Sequence, residues 1–305
     1  MIIITGANGF IGKNLLKSFP KNQDIVAVDY SHKNLEDEMK KRKGNLFLLE
    51  PQEFLTFFDS GPSAVSFVFH QGACTDTTCY DASFMLERNY DYTYKLLNLC
   101  VKHKKPIIYA SSASVYGDGP FSETDAMSPK NIYAKSKSMI DDYVEVLSQT
   151  TDVQITGLRY FNVYGKYEES KGKMSSVINQ FKKQIDKTGS INIFENSENY
   201  KRDFISVEDV VSVNRHFYEN GVSGIFNCGT GVAEKFTEIP KFLKKYFDFD
   251  ILEVPMPKKL KGKYQEYTKS DTSKLRSIGG YHKEFMTLEQ GINEYFEYWR
   301  ASGVC

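Results

Sequence analysis

Residues 2–12 read Ile2-Ile3-Ile4-Thr5-Gly6-Ala7-Asn8-Gly9-Phe10-Ile11-Gly12, a short β-branched run followed by three glycines at regular spacing. The run predicts a buried strand. The glycines predict a tight turn into a helix whose first amide groups are free to bind phosphates. Asp29 closes the next β-branched run, where an acidic side chain can bind ribose hydroxyls. This pattern predicts a dinucleotide site formed by Gly6, Gly9, Gly12 and Asp29.

Short apolar runs alternate with longer helical patterns through the first half of the chain. Runs of four or five apolar residues without strict alternation indicate strands buried on both faces. Strands are predicted at residues 2–4, 25–28, 46–49, 65–69, 106–110 and 155–158, and helices near 11–19, 83–103 and 133–149. This alternation predicts an α/β fold with a Rossmann-type, doubly wound parallel sheet.

The alternation of predicted strands and helices becomes irregular after residue 162. A smaller, mostly C-terminal α/β substrate domain is predicted there. Its expected elements are a loop at Lys166–Lys173, a helix near 174–187, a strand at 191–194 and a proline-flanked stretch at 251–260. We place the Rossmann domain at residues 1–165, returning at about 203–232 and 265–283. The substrate-binding domain then comprises residues 166–202, 233–264 and 284–305.

Composition excludes several classes of protein. The 305 residues carry 39 basic and 39 acidic side chains, so no global field attracts nucleic acid or anionic lipid. The five cysteines lack CxxC or Cys/His spacing, which argues against a disulfide scaffold and against a metal site. No apolar run has the length of a membrane span, and residues 1–6 do not resemble a signal peptide. We expect a reduced, soluble, cytoplasmic protein that binds neither nucleic acid nor membrane.

A second motif pair predicts hydride chemistry. Ser111-Ser112-Ala113-Ser114-Val115-Tyr116-Gly117 follows the predicted strand at 106–110, and Tyr133 and Lys137 share one face of a later helix. A phenol with a pKa of about 10 is a poor base at neutral pH, but a neighbouring ammonium favours the phenolate. A Tyr/Lys pair on a surface helix is common by itself. Its position after the glycine turn and serine cluster favours Ser112, Tyr133 and Lys137 as catalytic residues.

These motifs together resemble the extended short-chain dehydrogenase/reductase superfamily. Within it, further segments are similar to the ADP-L-glycero-D-manno-heptose 6-epimerase family, and the similarity covers essentially the whole chain. These segments are Gln71–Thr75, Arg159–Gly165, Phe194–Phe204, Asn220–Asn227 and Lys259–Tyr264. The sequences FENSENYKRDF and KLKGKY are the most specific of them.

The resemblance implies NADP bound to each subunit, with NAD as the alternative. The resemblance implies further cofactor contacts besides the three glycines of the turn. They are Phe10, Ile11, Asp29, Tyr30, Lys33, Gln71, Gly72, Ala73, Cys74, Thr75, Asn89, Lys137, Val163 and Lys171. The family usually has Glu where Gln71 stands. It can place lysines towards the 2′-phosphate near positions 36 and 51, where this chain has Glu36 and Pro51. The choice between NADP and NAD as the cofactor therefore stays open.

The resemblance also implies a set of substrate contacts. They are Asn162, Lys173, Gln180, Phe194, Glu195, Asn196, Ser197, Arg202 and Tyr264. The family often has Ser at the position of Lys173 and His at that of Gln180. Arg202 is suited to a diphosphate because a guanidinium can donate two parallel hydrogen bonds; the alternative for it is a surface ion pair.

The implied reaction is inversion at C6″ of ADP-D-glycero-D-manno-heptose, which supplies heptose for the lipopolysaccharide core. Inverting a secondary alcohol without net redox requires transient oxidation, and each epimer presents its hydroxyl to a different base. The resemblance gives these roles to Tyr133 and Lys171, although the residues alone do not select Lys171 over Lys166 or Lys173. It also implies a homo-oligomer, with a pentamer as one candidate.

Three other functions are compatible with parts of this sequence. A nucleotide-sugar dehydratase needs an acid pair beside the active-site hydroxyl, whereas Ser112 is followed by Ala113 and Ser114. A UDP-hexose 4-epimerase remains open because it requires no residue that is missing here. A non-catalytic, cofactor-sensing regulator is disfavoured because both Tyr133 and Lys137 are present.

Overall fold

A computed structural model describes residues 1–33, 35–257 and 265–303. The strands in chain order are β1 (Ile2–Thr5), β2 (Ile25–Val28), β3 (Leu46–Leu49), β4 (Phe67–His70), β5 (Ile107–Ser112), β6 (Ile155–Tyr160), β7 (Asn162–Tyr164), β8 (Ser190–Phe194), β9 (Lys201–Arg202), β10 (Phe204–Ser206), β11 (Gly224–Cys228), β12 (Glu234–Lys235) and β13 (Asp250–Val254). The helices are α1 (Phe10–Ser18), α2 (Glu36–Lys40), α3 (Pro51–Ser60), α4 (Ala82–Leu86), α5 (Tyr92–Lys102), α6 (Ile132–Leu147), α7 (Val177–Thr188), α8 (Val207–Asn220), α9 (Glu238–Leu243), α10 (Ser273–Ser277) and α11 (Leu288–Ala301).

The predicted Rossmann-type sheet is confirmed. Seven parallel strands lie in the order β11-β6-β5-β4-β1-β2-β3, with β1 between β4 and β2. Strands β1, β2 and β4 are buried along their whole length, as their unbroken apolar runs require. Helices α1 and α8 cover one face through residues such as Leu15 and Phe217. Helices α3, α5 and α6 cover the other face through residues such as Phe58 and Ile140.

The strand order places the switch point between β1 and β4, where ligands bind in doubly wound sheets. The carboxyl ends of β1, β2, β4 and β5 therefore meet at one edge. These ends carry the glycine turn, Asp29, the Gln71–Thr75 segment and the Ser111–Gly117 segment.

Two predicted elements differ in detail. The helix predicted near 83–103 contains a π-helical turn at Glu87–Asp91 between α4 and α5. The stretch predicted as a loop at Lys166–Lys173 includes 3₁₀ turns over Glu168–Met174, interrupted at Gly172. Short-range periodicity does not detect either feature, since both depend on the packing of neighbouring segments.

A third hydrophobic cluster lies outside the central sheet. It joins α7, α9, α11 and the short parallel pair β8–β13 around Phe181, Leu243 and Trp299. Helix α8 packs on the central sheet, and β11 is its edge strand beside β6. The division into two domains and its boundaries stay a prediction. In the part of the chain that the structure describes, no helix is long and apolar enough to span a membrane.

Candidate active site

The glycine turn has the geometry that the sequence predicts. Gly6 has φ +64°, and a Cβ there would lie 2.7 Å from the backbone of Gly72. A Cβ on Gly12 would lie 2.0 Å from the carbonyl oxygen of Gly6, so helix α1 can pack this closely only without a side chain. Gly9 precedes α1, and no side chain caps the helix N-terminus. The first amide groups of α1 therefore remain available for an anionic group such as a pyrophosphate.

A cleft of about 660 Å³ opens above this turn. Most predicted cofactor residues line it: Gly6, Gly9, Phe10, Ile11, Gly12, Asp29, Tyr30, Gln71, Gly72, Ala73, Cys74, Thr75 and Lys171. Asp29 is held by the Asn8 amide, which donates to its Oδ2 over 2.9 Å. The shape and the donors of this cleft fit a dinucleotide.

Four predicted cofactor residues do not line the cleft. Lys33 is exposed, Val163 lies in β7 with Ile205 as its partner in β10, and Asn89 and Lys137 are buried. Asn89 reaches the cleft wall through its hydrogen bonds with Cys74, whereas Lys137 donates to the Ala110 carbonyl.

Ser112, Tyr133 and Lys137 come together at the carboxyl end of β5. Helix α6 begins there because Asn131 caps it, with Oδ1 accepting the Ala134 amide over 2.8 Å. Tyr133 is half-buried, and Lys137 is buried with Nζ donating to the Ala110 carbonyl over 2.8 Å. The Ser112 hydroxyl oxygen accepts from the Ser114 amide and hydroxyl, which leaves its own proton to donate.

Opposing effects act on the pKa values of Tyr133 and Lys137. Burial raises the pKa of the Tyr133 phenol, whereas its hydrogen bond with Ser112 lowers that pKa. Burial lowers the pKa of Lys137 to about 8, although Asp141 one turn further along α6 raises it. A lysine with this pKa carries its positive charge at neutral pH, and Lys137 stands one helical turn after Tyr133 on α6.

Asn89 lies in the π-helical turn and connects this group to the cleft. Its Oδ1 accepts the Cys74 amide over 2.8 Å, and its Nδ2 donates to the Cys74 carbonyl over 3.0 Å. Nδ2 also donates to the hydroxyl of Ser136, which in turn donates to the Tyr133 carbonyl. A π-helical turn inside an α-helix is a common feature of functional sites, and here it directs Asn89 inward.

His70, which the sequence motifs did not single out, completes a buried hydrogen-bond chain. Thr93 donates to the Asn89 carbonyl over 2.6 Å, so its oxygen accepts from Nε2 of His70 over 2.8 Å. Nδ1 of His70 then accepts from the Thr5 hydroxyl over 2.6 Å, and Thr5 accepts from the Gly72 amide. The partners define a neutral ring protonated on Nε2. Burial and the charge of Lys137 lower its pKa to about 3.

Lys171 lies at the glycine-turn end of the cleft. Its Nζ is 5.6 Å from the centroid of the Phe10 ring. The buried Glu168 carboxylate fixes the start of this segment by accepting the amides of Gly165 and Ser176. Burial lowers the pKa of Lys171, and Glu168 raises it. Lys171 is thus a half-buried amine at the cleft, whereas Lys173 is exposed.

Asn162 in β7 and Arg202 in β9 form a second polar group. Asn162 donates through Nδ2 to the Asp203 carbonyl and to Thr268, and its Oδ1 faces Arg202 Nη1 at 3.5 Å. Arg202 also donates to the Gln265 carbonyl through Nε and Nη2. Gln265 donates to the Gly117 carbonyl, so the segment after residue 264 connects this group to the end of the serine motif.

The other predicted substrate residues are less closely grouped. Gln180 donates from Nε2 to the carbonyls of Gly172 and Lys173, so it braces the loop that carries Lys171. Residues 194–197 form the end of β8 and the following turn, with Glu195 and Asn196 exposed and Ser197 buried. Tyr264 lies outside the described residues.

Phe84, Arg88 and Tyr92 line the cleft although no motif marked them. Among the described residues, no group of acidic, histidine and cysteine side chains is arranged to hold a metal ion, and Cys74, Cys79, Cys100 and Cys228 are free thiols.

Comparison with known proteins identifies the family. The model of the NAD dependent epimerase/dehydratase family matches residues 2–229. A Brachyspira hyodysenteriae protein named ADP-L-glycero-D-manno-heptose-6-epimerase is 44% identical over 322 aligned residues, covering 99% of this chain and 99% of that protein. The crystal structure of Helicobacter pylori ADP-L-glycero-D-manno-heptose-6-epimerase superposes with a TM-score of 0.85 at 30% identity, covering 98% of this chain and 96% of that one.

A third structure shows that an enzyme for a different substrate has a similar backbone. Thermotoga maritima UDP-glucose 4-epimerase with UDP-glucose superposes with a TM-score of 0.84 at 25% identity over 99% of both chains. Backbone similarity alone therefore does not separate the two substrate classes, whereas sequence identity favours the first. The chain belongs to the NAD dependent epimerase/dehydratase family, and its resemblance to the ADP-L-glycero-D-manno-heptose 6-epimerases is confirmed over its full length.

Proposed function

We propose that this protein inverts C6″ of ADP-D-glycero-D-manno-heptose to give ADP-L-glycero-D-manno-heptose, with NADP as a tightly bound cofactor. The observation that carries the proposal is the convergence of Ser112, Tyr133 and Lys137 at the carboxyl end of β5, on the sheet edge that also carries the dinucleotide cleft. The 44% identity to the Brachyspira hyodysenteriae epimerase supports the choice of substrate. The product would supply heptose for the lipopolysaccharide core.

Tyr133 is the proposed base for the first half-reaction. A nicotinamide held in the cleft would supply the hydride acceptor for C6″ and the hydride donor for the opposite face. Tyr133 takes the proton of the C6″ hydroxyl, Ser112 donates a hydrogen bond to the same oxygen, and the charge of Lys137 stabilises the phenolate. The carbonyl of Ala110 holds Lys137 next to β5, so the ammonium stays close to the reacting group.

Lys171 is the proposed acid for the second half-reaction. After the side-chain end of the sugar has turned over, the C6″ oxygen faces the other wall of the cleft and needs a proton from there. Lys171 is on the loop after β7, and burial lowers its pKa towards the range useful for proton transfer. The proton taken by Tyr133 and the one given by Lys171 balance, so the net reaction is an isomerisation.

Arg202 is the proposed contact for the substrate diphosphate. The guanidinium donates to the Gln265 carbonyl and faces Asn162, so its position is restrained. An oriented guanidinium can make a bidentate contact with a phosphate at little further entropic cost. Residues 194–197 and Lys173 complete the proposed substrate contacts, together with Tyr264.

We further propose that the enzyme is a cytoplasmic homo-oligomer. Family resemblance supports this state, with a pentamer as the candidate assembly. Sedimentation equilibrium of the purified protein tests it, and a monomer at micromolar concentration would contradict it.

Proton NMR of ADP-D-glycero-D-manno-heptose incubated with the purified protein tests the function. UDP-glucose is treated in parallel, because the fold is equally close to a UDP-glucose 4-epimerase. We expect signals of the L-glycero epimer to appear and UDP-glucose to remain unchanged. Conversion of UDP-glucose alone would show that the protein is a UDP-hexose 4-epimerase instead.

A further inference from the structure

Two cations among the described residues line the dinucleotide cleft, and they stand at different ends of it. Lys171 lies against Phe10 at the glycine turn. The Arg88 guanidinium lies 4.0 Å from the centroid of the Tyr30 ring and 5.3 Å from that of Phe84. Tyr30 follows Asp29 directly at the end of β2, the position that marks the adenosine ribose in this fold. Arg88 is therefore the cation at the adenosine end.

The π-helical turn determines the direction of Arg88. Its neighbour Asn89 is 1% exposed and forms hydrogen bonds with Cys74, whereas Arg88 faces the cleft. The rings of Tyr30 and Phe84 flank the guanidinium, which restricts its rotamers before any ligand arrives. A planar guanidinium stacked on an aromatic ring is a common binding element for phosphate groups.

Arg88 also lacks a carboxylate partner within the described ranges. Its Nε is buried without a hydrogen-bond acceptor. The carboxylate beside Tyr30, Asp29, accepts the backbone amides of Asn8 and Ser31. A guanidinium that is partly desolvated and unpaired gains most from an anion supplied by the ligand.

The other basic residues near this end have different environments. Lys33 is exposed and does not line the cleft. Lys13, Lys17 and Lys41 line a separate hollow together with Glu38, which forms an ion pair with Lys17. These lysines therefore do not face the adenosine ribose, and Glu36 and Pro51 replace the cations expected from the family.

We infer that Arg88 binds the 2′-phosphate of NADP and so determines the preference for NADP over NAD. Asp29 alone would favour the free ribose hydroxyls of NAD, and the Arg88 charge offsets its repulsion of a phosphate. Tyr30 serves as the platform that holds the guanidinium in position. The inference rests on the proposed cofactor site and specifies which residue discriminates there.

Binding of NADP and of NAD to the cofactor-stripped protein tests the inference by isothermal titration calorimetry. We expect Arg88→Gln to weaken NADP binding by roughly tenfold or more while NAD binding changes by less than about threefold, because only NADP loses a charge-assisted contact. Arg88→Lys should lose less NADP affinity than Arg88→Gln because it keeps the positive charge. It should still bind NADP more weakly than the wild type because lysine lacks the planar guanidinium. Lys95→Gln, an exposed lysine on α5, is the matched charge control.

The outcomes are distinguishable. Equal weakening of both dinucleotides by Arg88→Gln would show that the side chain only packs, and unchanged NADP binding would also overturn the inference. Loss of the NADP preference in Lys33→Gln, with Arg88→Gln retaining it, would assign the 2′-phosphate to Lys33. Failure of the wild-type protein to bind either dinucleotide would contradict the proposed function itself, and this inference with it.

Discussion

The Asn89 side chain and the Cys74 backbone form a reciprocal pair, in which each donates one hydrogen bond and accepts one. The pair joins the π-helical turn to the cleft wall at residues 71–75. Because Asn89 also donates to Ser136 on α6, one buried amide holds the cleft wall and the helix that carries Tyr133 and Lys137. The position of the proposed base relative to the cofactor thus depends on a side chain that does not line the cleft.

Asn89→Ala should therefore affect binding as well as stability. We expect a loss of about 1–3 kcal/mol in the free energy of unfolding, because the buried amide loses three hydrogen bonds at a net cost of about 0.5–1.5 kcal/mol each. Dinucleotide affinity should fall by about tenfold because the cleft wall loses its brace. Urea unfolding and calorimetric titration measure the two effects. Asn98→Ala on α5 removes an amide that contacts Tyr94 and Tyr143, away from the cleft, and should leave affinity unchanged.

His70 should make the folded protein sensitive to acid. Its pKa is about 3 when folded, against an ordinary value near 6.5, so below pH 6.5 the unfolded chain binds a proton that the folded chain rejects. Stability contributed by neutral His70 is complete above that pH and decreases as pH falls. Between about pH 6.5 and pH 5 we expect a loss of up to about 2 kcal/mol from this group.

Urea midpoints of the wild type and of His70→Asn at both pH values test this expectation. Asparagine cannot titrate there, so the variant should lose less stability on acidification, although it is less stable at neutral pH. An identical pH dependence in both proteins would mean that His70 takes up a proton in the folded state.

Tyr133→Phe should abolish most turnover while preserving the cofactor site. The variant keeps the aromatic ring, but the hydroxyl that exchanges the proton is gone. We expect kcat to fall by at least about a hundredfold, with dinucleotide affinity changed by less than about threefold. Tyr143→Phe removes a phenol from the same helix at a position bonded to Asn98, and steady-state assays should show it to be near wild type. Near wild-type activity in Tyr133→Phe would contradict the assignment of the base.

Lys171→Met should separate epimerisation from hydride transfer. A substrate analogue with an aldehyde at C6″ can disproportionate, one molecule being oxidised while another is reduced, with a single base serving both steps. We expect Lys171→Met and Tyr133→Phe each to keep some disproportionation but lose epimerisation, and the double variant to lose both. The exposed Lys187→Met on α7 is the charge control. Epimerisation at the wild-type rate in Lys171→Met would contradict the role of Lys171 and make Lys173 the next candidate for the second acid/base residue.

The parts of this molecule that sequence reasoning predicts well are those determined by local patterns. Apolar runs such as Ile25–Val28 predict buried strands, and Gly6 and Gly12 predict a turn where a side chain would collide with backbone. Ser112, Tyr133 and Lys137 are recognisable because the strand order fixes where their segments meet. These features follow from spacing along the chain.

What sequence reasoning does not predict depends on tertiary contacts. No local pattern shows that the Gln180 side chain donates a hydrogen bond to the Gly172 carbonyl. Nor does a local pattern show that a π-helical turn directs Asn89 into the protein and Arg88 towards the cleft. A polar residue that closes the buried strand β4 does signal an unusual environment for His70. Its hydrogen-bond partners Thr5 and Thr93 become apparent only when β1 and α5 are packed beside it.

The most direct test of the account follows the hydrogen at C6″. ADP-D-glycero-D-manno-heptose carrying deuterium at C6″ is incubated with the wild-type protein in ordinary water, and the product is analysed by NMR and mass spectrometry. Transient oxidation at this carbon, with the hydride returned to the opposite face, predicts the L-glycero epimer with deuterium retained at C6″. Replacement of the label by solvent hydrogen, or no epimer at all, would contradict the account.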